Sequence, residues 1–233
     1  MTLLSLAQSI IKEDKDPAVP TTIIGNDASI AAQQALSALT NSITDLARDY
    51  DWQELIKTNT FVSVASQEAY TVPSDFDRIS NNTLWNVDTM RAAYGPIDQP
   101  SWMNLKYSSV GGGATADYFR IRDSAVEIFP TPAAVVNYVY EYITNLIVDS
   151  SGGTGQTTWL ADTDVPVIDS YILKLDATWR YKKNQGNPYA EEKAMADKAI
   201  EQKISASGGR KTIRHYSKYR GGRVGYPNIV VAP

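Results

Sequence analysis

The chain has 233 residues, 43% of them hydrophobic and 21% charged, so it can bury a core and fold. Cysteine is absent and His215 is the sole histidine. That excludes disulfides, cysteine-based zinc sites and a cysteine nucleophile, and leaves a Ser-His-Asp triad or a histidine metal site one residue to build on. The net charge of −4 is split: residues 207–233 carry Arg210, Lys211, Arg214, Lys218, Arg220 and Arg223 and no acid, a charge of +6, whereas residues 1–206 set 16 basic against 26 acidic residues, a charge of −10.

In chain order, residues 3–13 predict a short helix with Leu3, Leu6 and Ile10 apolar. The opening sixteen residues lack a basic n-region and a small-residue cleavage site, so no signal peptide is expected. Pro17 and Pro20 mark a linker over 15–25, and Asp27 is the expected N-cap of the next helix. Leu36, Leu39, Ile43, Leu46 and Tyr50 recur at helical spacing over 28–51, and Ala31, Ala32, Ala35, Ala38 and Ala47 allow another helix to approach closely. This stripe is expected to pack a core or a neighbouring subunit.

Residues 55–148 turn β-rich. Strands are expected at Phe61–Val64, Ala69–Val72 and Ile79–Val87, with a hairpin from Tyr118 to Phe129 across Asp123-Ser124. In 136–148, Tyr138, Tyr140 and Tyr142 share one face, with Val139, Glu141 and Ile143 on the other. Residues 149–158 read as a flexible loop. Ile168, Ile172, Leu175 and Trp179 then mark a helix. Asn187 is the expected N-cap of another, with Pro188 at its first helical position and Glu191 and Glu192 in its first turn, and Ser207-Gly208-Gly209 closes it. No apolar run approaches the roughly 18 residues of a membrane span.

Motifs for chemistry are weak. Gly111-Gly112-Gly113 and Gly152-Gly153-Thr154-Gly155 lack the Lys-Ser or Lys-Thr of a phosphate loop, so loops are expected there. Asp162, Asp164 and Asp169 lack the glycine and glutamate of a calcium loop and read as a helix N-cap with solvated loop acids. Among Trp52, Trp85, Trp102, Trp159 and Trp179, ligand stacking is set against core packing. Trp52 and Trp179 read as core or interface anchors. Neither a catalytic residue, a metal site nor a cofactor is expected.

The C-terminal arm carries more content. Arg210, Lys211, Arg214, His215, Tyr216, Lys218, Tyr219, Arg220 and Arg223 interleave cations with aromatics, and Ile229, Val230 and Val231 end it. Three readings stand: nucleic-acid binding, docking on an acidic protein surface, or a solvated tail. The apolar end favours a partner, since an added edge strand uses such residues and a solvating tail does not.

Several segments in succession carry a resemblance. They are Asp51-Trp52-Gln53-Glu54-Leu55 closing the Ala-rich helix, Tyr70-Thr71-Val72-Pro73-Ser74-Asp75-Phe76-Asp77-Arg78-Ile79, Tyr118-Phe119-Arg120-Ile121, Val126-Glu127-Ile128-Phe129-Pro130, Trp159-Leu160-Ala161-Asp162, and a helix with Trp179-Arg180-Tyr181-Lys182. Over about residues 28–200 the chain resembles the head-to-tail adaptors of short-tailed bacteriophages, also called tail tubular protein A or head-tail connectors. The resemblance implies a non-enzymatic virion protein of the tail or neck, assembled in the host cytoplasm. It implies a homo-oligomeric ring, usually of twelve copies, with the helices packing between subunits and the arm reaching into the portal protein. A downstream tail nozzle or tail fibre protein lies on the far side, genomic DNA passes without sequence-specific binding, and no membrane is involved. An acidic ring would line the DNA path with like charge. The expected fold is α+β: a helical bundle from both chain ends (1–54 and 159–206), an inserted antiparallel β module (55–158) and an extended C-terminal arm (207–233).

Overall fold

The computed structural model describes residues 1–14, 19–25, 28–107 and 116–207. In chain order these form α1 (Leu3–Glu13), α2 (Ile30–Asp49), β1 (Ile56–Val62), β2 (Ala69–Thr71), β3 (Phe76–Ile79), β4 (Trp85–Asn86), β5 (Arg91–Ala92), α3 (Gln99–Tyr107), β6 (Tyr118–Arg122), β7 (Ala125–Phe129), β8 (Asn137–Thr144), β9 (Val148–Asp149), β10 (Gly155–Gln156), β11 (Val165–Pro166), α4 (Ser170–Gln185) and α5 (Ala190–Ser207). The pairs among these strands are antiparallel, with an isolated parallel bridge from Tyr94 to Tyr118, so the class is α+β, as expected.

Helix α1 begins at Thr2, whose hydroxyl accepts from the Ser5 amide, and buries Leu3, Leu6, Ala7, Ile10 and Ile11 completely. Helix α2 begins at Ser29, whose hydroxyl accepts from the Ala32 amide at 3.2 Å. The expected cap, Asp27, lies outside the described residues. Ala32, Ala35, Ala38, Leu39, Ser42, Ile43, Leu46 and Ala47 face inward. Leu36 is half-buried on the flank, and Tyr50 stands just past the helix in extended conformation. The alanines let α4 run closely alongside; α1 packs on both, and α5 packs on α4.

Two expectations about these helices need correction. The inward face of α4 is Ile172, Leu173, Asp176, Ala177, Thr178 and Tyr181, rotated from the apolar stripe, so Leu175 and Trp179 are only half-buried. Asn187 does not cap α5. It completes the end of α4: Gly186 turns left-handed at φ 76°, and the Asn187 amide donates back to the Lys182 carbonyl at 2.9 Å. Helix α5 starts at Ala190, with the Tyr189 carbonyl accepting its first helical bond from Lys193.

The strands form one sheet ordered β1-β8-β4-β5, with β3 also on β8, and two three-stranded sheets, β2-β7-β6 and β10-β9-β11. The hairpin β6–β7 turns through Asp123 and Ser124, both at positive φ (49° and 59°), as the Asp-Ser punctuation predicts. The single strand expected over 79–87 is broken. Asn82 takes positive φ (61°), and the Thr83 hydroxyl donates to the Ser80 carbonyl at 2.6 Å, so β3 ends and β4 begins separately. The expected loop at 149–158 holds a small hairpin in which Val148–Asp149 pairs Gly155–Gln156.

Strand β8 joins two cores. Tyr138, Tyr140 and Tyr142 pack with Tyr70, Phe119, Val126 and Ile128. On its other side Ile143 joins the cluster of α1, α2 and α4, together with Trp52, Leu55, Val148, Trp159 and Ile168. Each fully buried Leu or Ile there contributes about 1.5–3 kcal/mol.

Candidate partner interface

The described chain leads to the arm and stops at its root. Arg210, Lys211, Arg214, His215, Tyr216, Lys218, Tyr219, Arg220, Arg223, Ile229, Val230 and Val231 lie outside the described residues, as do Gly111, Gly112 and Gly113. The root is fixed by Lys203 near the end of α5, which sits 3.3 Å from Glu54 and 3.5 Å from Asp169. Its hydrogen bond to Glu54, followed by the charge of Glu54, holds the ammonium above its ordinary pKa. Lys203 therefore ties α5 to the residues that start β1 and α4, and the arm departs four residues later.

The helical stripe turns inward. Leu39, Ile43 and Leu46 are buried within the chain. Where α2 meets α4 the apolar contact encloses a polar cluster: Asp176, 5% exposed, accepts from Ser42 Oγ at 2.6 Å, Trp179 Nε1 at 2.8 Å and Arg180 Nε at 2.9 Å. Arg180 reaches on to Asp45 at 2.7 Å. Trp179 is a ring wedged among cations, with Arg180 at 4.9 Å, Lys193 at 5.6 Å and Lys183 at 5.9 Å from its centroid and Tyr189 at 6.0 Å. Tyr50 packs edge-on to Trp52 at 5.6 Å. Burial, then the charges of Asp49, Asp197 and Glu201, raise its hydroxyl pKa.

The two loop acids of the trio, Asp162 and Asp164, are held by hydrogen bonds rather than left to solvent. Asp169 caps α4 through the Tyr171 amide, as expected. Asp162 accepts from Thr22 Oγ1 and from the Ile23 and Ile24 amides at 2.8–3.2 Å. Asp164, 1% exposed, accepts from the Leu160 and Ala161 amides. The carbonyls of Asp164 and Asp162 also take the Leu3 and Leu4 amides at the start of α1. This turn clamps α1 and the following linker to the far end of the chain. Among the tryptophans, Trp52, Trp102 and Trp159 are buried, and Trp85 is 40% exposed.

Sequence reasoning missed the residue that couples the two cores. Arg78 of β3 donates from Nη2 to the Ala47 carbonyl at 3.0 Å, the Tyr50 carbonyl at 3.1 Å and the Asp51 carboxylate at 2.8 Å, and from Nη1 to Asp77 at 2.7 Å. It thereby caps the C-terminal end of α2 from the β side. Nearby Asp75 accepts from Lys57, Tyr142 and Thr144 at 2.7–3.0 Å. Burial pushes its carboxyl up, but those hydrogen bonds together outweigh it and hold the pKa below the usual value. The signal lay in the Asp75–Ile79 run, read only as a marker of resemblance.

Among the described residues, no group of three His, Cys, Asp or Glu is arranged to hold a metal ion, and no helix is long and apolar enough to cross a membrane. The sequence model of the SU10 adaptor protein family matches residues 1–223. No curated protein matches the chain.

Proposed function

Since the chain belongs to the SU10 adaptor protein family, whose members are phage structural adaptors and not enzymes, we propose that it is one subunit of a ring, of twelve copies, that joins the portal protein to the tail and continues the DNA channel. In this reading the helices from both chain ends form a bundle (1–54 and 159–206) that carries an inserted β module (55–158). The arm (207–233) docks on the portal, the opposite face receives tail nozzle or tail fibre proteins, and genomic DNA passes without sequence-specific contact. The subunit assembles in the host cytoplasm and is retained at the neck of the virion.

The observation that supports this reading most is the charge split of −10 on the body and +6 on the arm. An acidic body repels DNA, while the basic arm with its apolar end suits an acidic or strand-edged protein surface. Deleting residues 207–233 is expected to leave a folded protein that no longer joins filled heads. Normal attachment of the truncated protein refutes the arm's role. The interleaved cations and aromatics of the arm support a second reading, DNA binding, in which the purified chain binds DNA with an affinity that falls steeply with salt.

A further inference from the structure

The β1-β8-β4-β5 sheet has a tyrosine-packed inner face and an outer face that carries little charge. Register places Thr60, Val139, Trp85 and Ala92 in one row across the four strands. The next row holds Val62 and Asn137 with Val87, whose amide donates to the Asn137 carbonyl at 2.8 Å. Val64 and Val135 extend the valines past the strand ends. Val62, Val64, Val87 and Val135 are 53%, 54%, 48% and 68% exposed. Charge begins at the border, with Glu141 in the row beyond and Asp88 accepting from Asn137. Among the described residues, none covers these side chains.

We infer that this outer face is where a second copy of the chain docks. The ring reading is the premise, and the face supplies the subunit contact that the buried α2 stripe does not. Two bodies of −10 repel wherever their acids meet, so a like-charged neighbour approaches at least cost on a valine-rich face whose acids, Asp88 and Glu141, lie at its border. A cationic partner has no such reason to avoid the acidic surfaces. Size sets the strength. Three rows of about 20 Å by four strands of about 19 Å give roughly 400 Å². A stable pair needs about 800 Å² per partner. The contact is therefore weak between free subunits and gains strength when a closed ring repeats it.

Sedimentation of the purified full-length chain tests this without portal or heads, so its outcome is separate from the head-attachment assay. Self-association is expected at concentrations on the order of 100 µM. It strengthens several-fold as salt rises from about 0.05 M to about 0.5 M, because screening removes like-charge repulsion and leaves apolar contact. Val62→Lys with Val87→Lys weakens it at least tenfold and leaves the circular dichroism spectrum unchanged, since both side chains already face water. A chain that stays monomeric throughout, association that weakens with salt, or a double variant that associates like the parent each overturns the assignment. A spin label on Val87→Cys, in a chain with no other cysteine, gives a second reading: immobilisation that grows with concentration supports a neighbouring copy. A label immobilised at every dilution and freed by deleting residues 208–233 assigns the face to the chain's own arm and overturns the proposal.

Discussion

Replacing Arg78 with alanine removes the guanidinium that joins β3 to the end of α2. The Ala47 and Tyr50 carbonyls lose their donor, and Asp51 loses the cation at 2.8 Å. A hydrogen bond to a charged group contributes about 1.5–3 kcal/mol. Three such bonds would sum higher, but the Arg78 side chain is 30% exposed and that of Asp51 27%. Water can therefore resolvate the freed carbonyls and screen the ion pair. The expected loss is about 2–4 kcal/mol, a fall in Tm of roughly 5–15 °C for a chain of this size. Chemical denaturation followed by tryptophan fluorescence measures it, since Trp52 lies in the helical core beside this junction. Arg78→Lys restores less than half, because one ammonium cannot span two carbonyls and a carboxylate in a planar fork. A loss under about 1 kcal/mol for alanine, or full rescue by lysine, would falsify the argument that the fork couples the two cores.

Asp162→Ala frees the Thr22 hydroxyl and the Ile23 and Ile24 amides; the expected cost is about 2–4 kcal/mol, and limited proteolysis should cut faster around residues 22–24. Ser42→Ala removes a buried donor to Asp176, which keeps Trp179 and Arg180, so a loss of about 1 kcal/mol is expected by thermal melting, and a gain in stability counts against the bond. Asp75, held below its usual pKa, contributes stability that is complete above about pH 4 and is lost as pH falls through its lower folded value. Burial, then the hydrogen bond to Asp75, pushes Tyr142 up to about 12, so its contribution is complete below about pH 10 and is lost between about 10 and about 12. Tyr142→Phe should flatten that part of the alkaline unfolding profile. In an assembled ring, cryo-EM should show an acidic channel wall, and a basic lumen refutes the like-charge lining.

The legible parts of the fold are those in which local pattern and burial agree. The spacing of Leu39, Ile43 and Leu46 reports α2 because apolar residues fill its inward face. The alternation of Tyr138, Tyr140 and Tyr142 reports β8 for the same reason. Helix α4 defeats the method because Asp176 and Thr178 occupy buried positions, satisfied by Ser42, Trp179 and Arg180 and by the Lys174 carbonyl. Apolar periodicity counts those two as outward and counts Trp179, which rests among cations, as inward. Asp162 and Asp164 misled in a similar way: Asp162's partners, Thr22, Ile23 and Ile24, lie about 140 residues away in the chain. A two-residue strand such as β4 leaves no periodic trace, since its pairing is dictated by β8 and β5.

Arg78 and Asp75 sharpen the point, because a short run of ordinary residues serves both cores at once. Asp75 secures β1 and β8 through Lys57, Tyr142 and Thr144, while Arg78 takes the last carbonyls of α2. Neither residue is apolar, so neither enters a core reckoned by hydrophobicity, yet both stand where the tyrosine cluster and the helical cluster share β8. Lys203 sits beside the same region, bridging Glu54 before β1 to Asp169 before α4 just ahead of the arm. Such bonds are directional and bridge elements far apart in the chain, so weakening one should loosen the coupling between the cores more than it unfolds either core. Native-state hydrogen exchange on Arg78→Ala distinguishes the two: amides of β3 and the last turn of α2 that speed up by more than the slowest amides of α1, α2 and β8, which rise only by the global loss, mark lost coupling, whereas an equal rise everywhere removes Arg78 as the link.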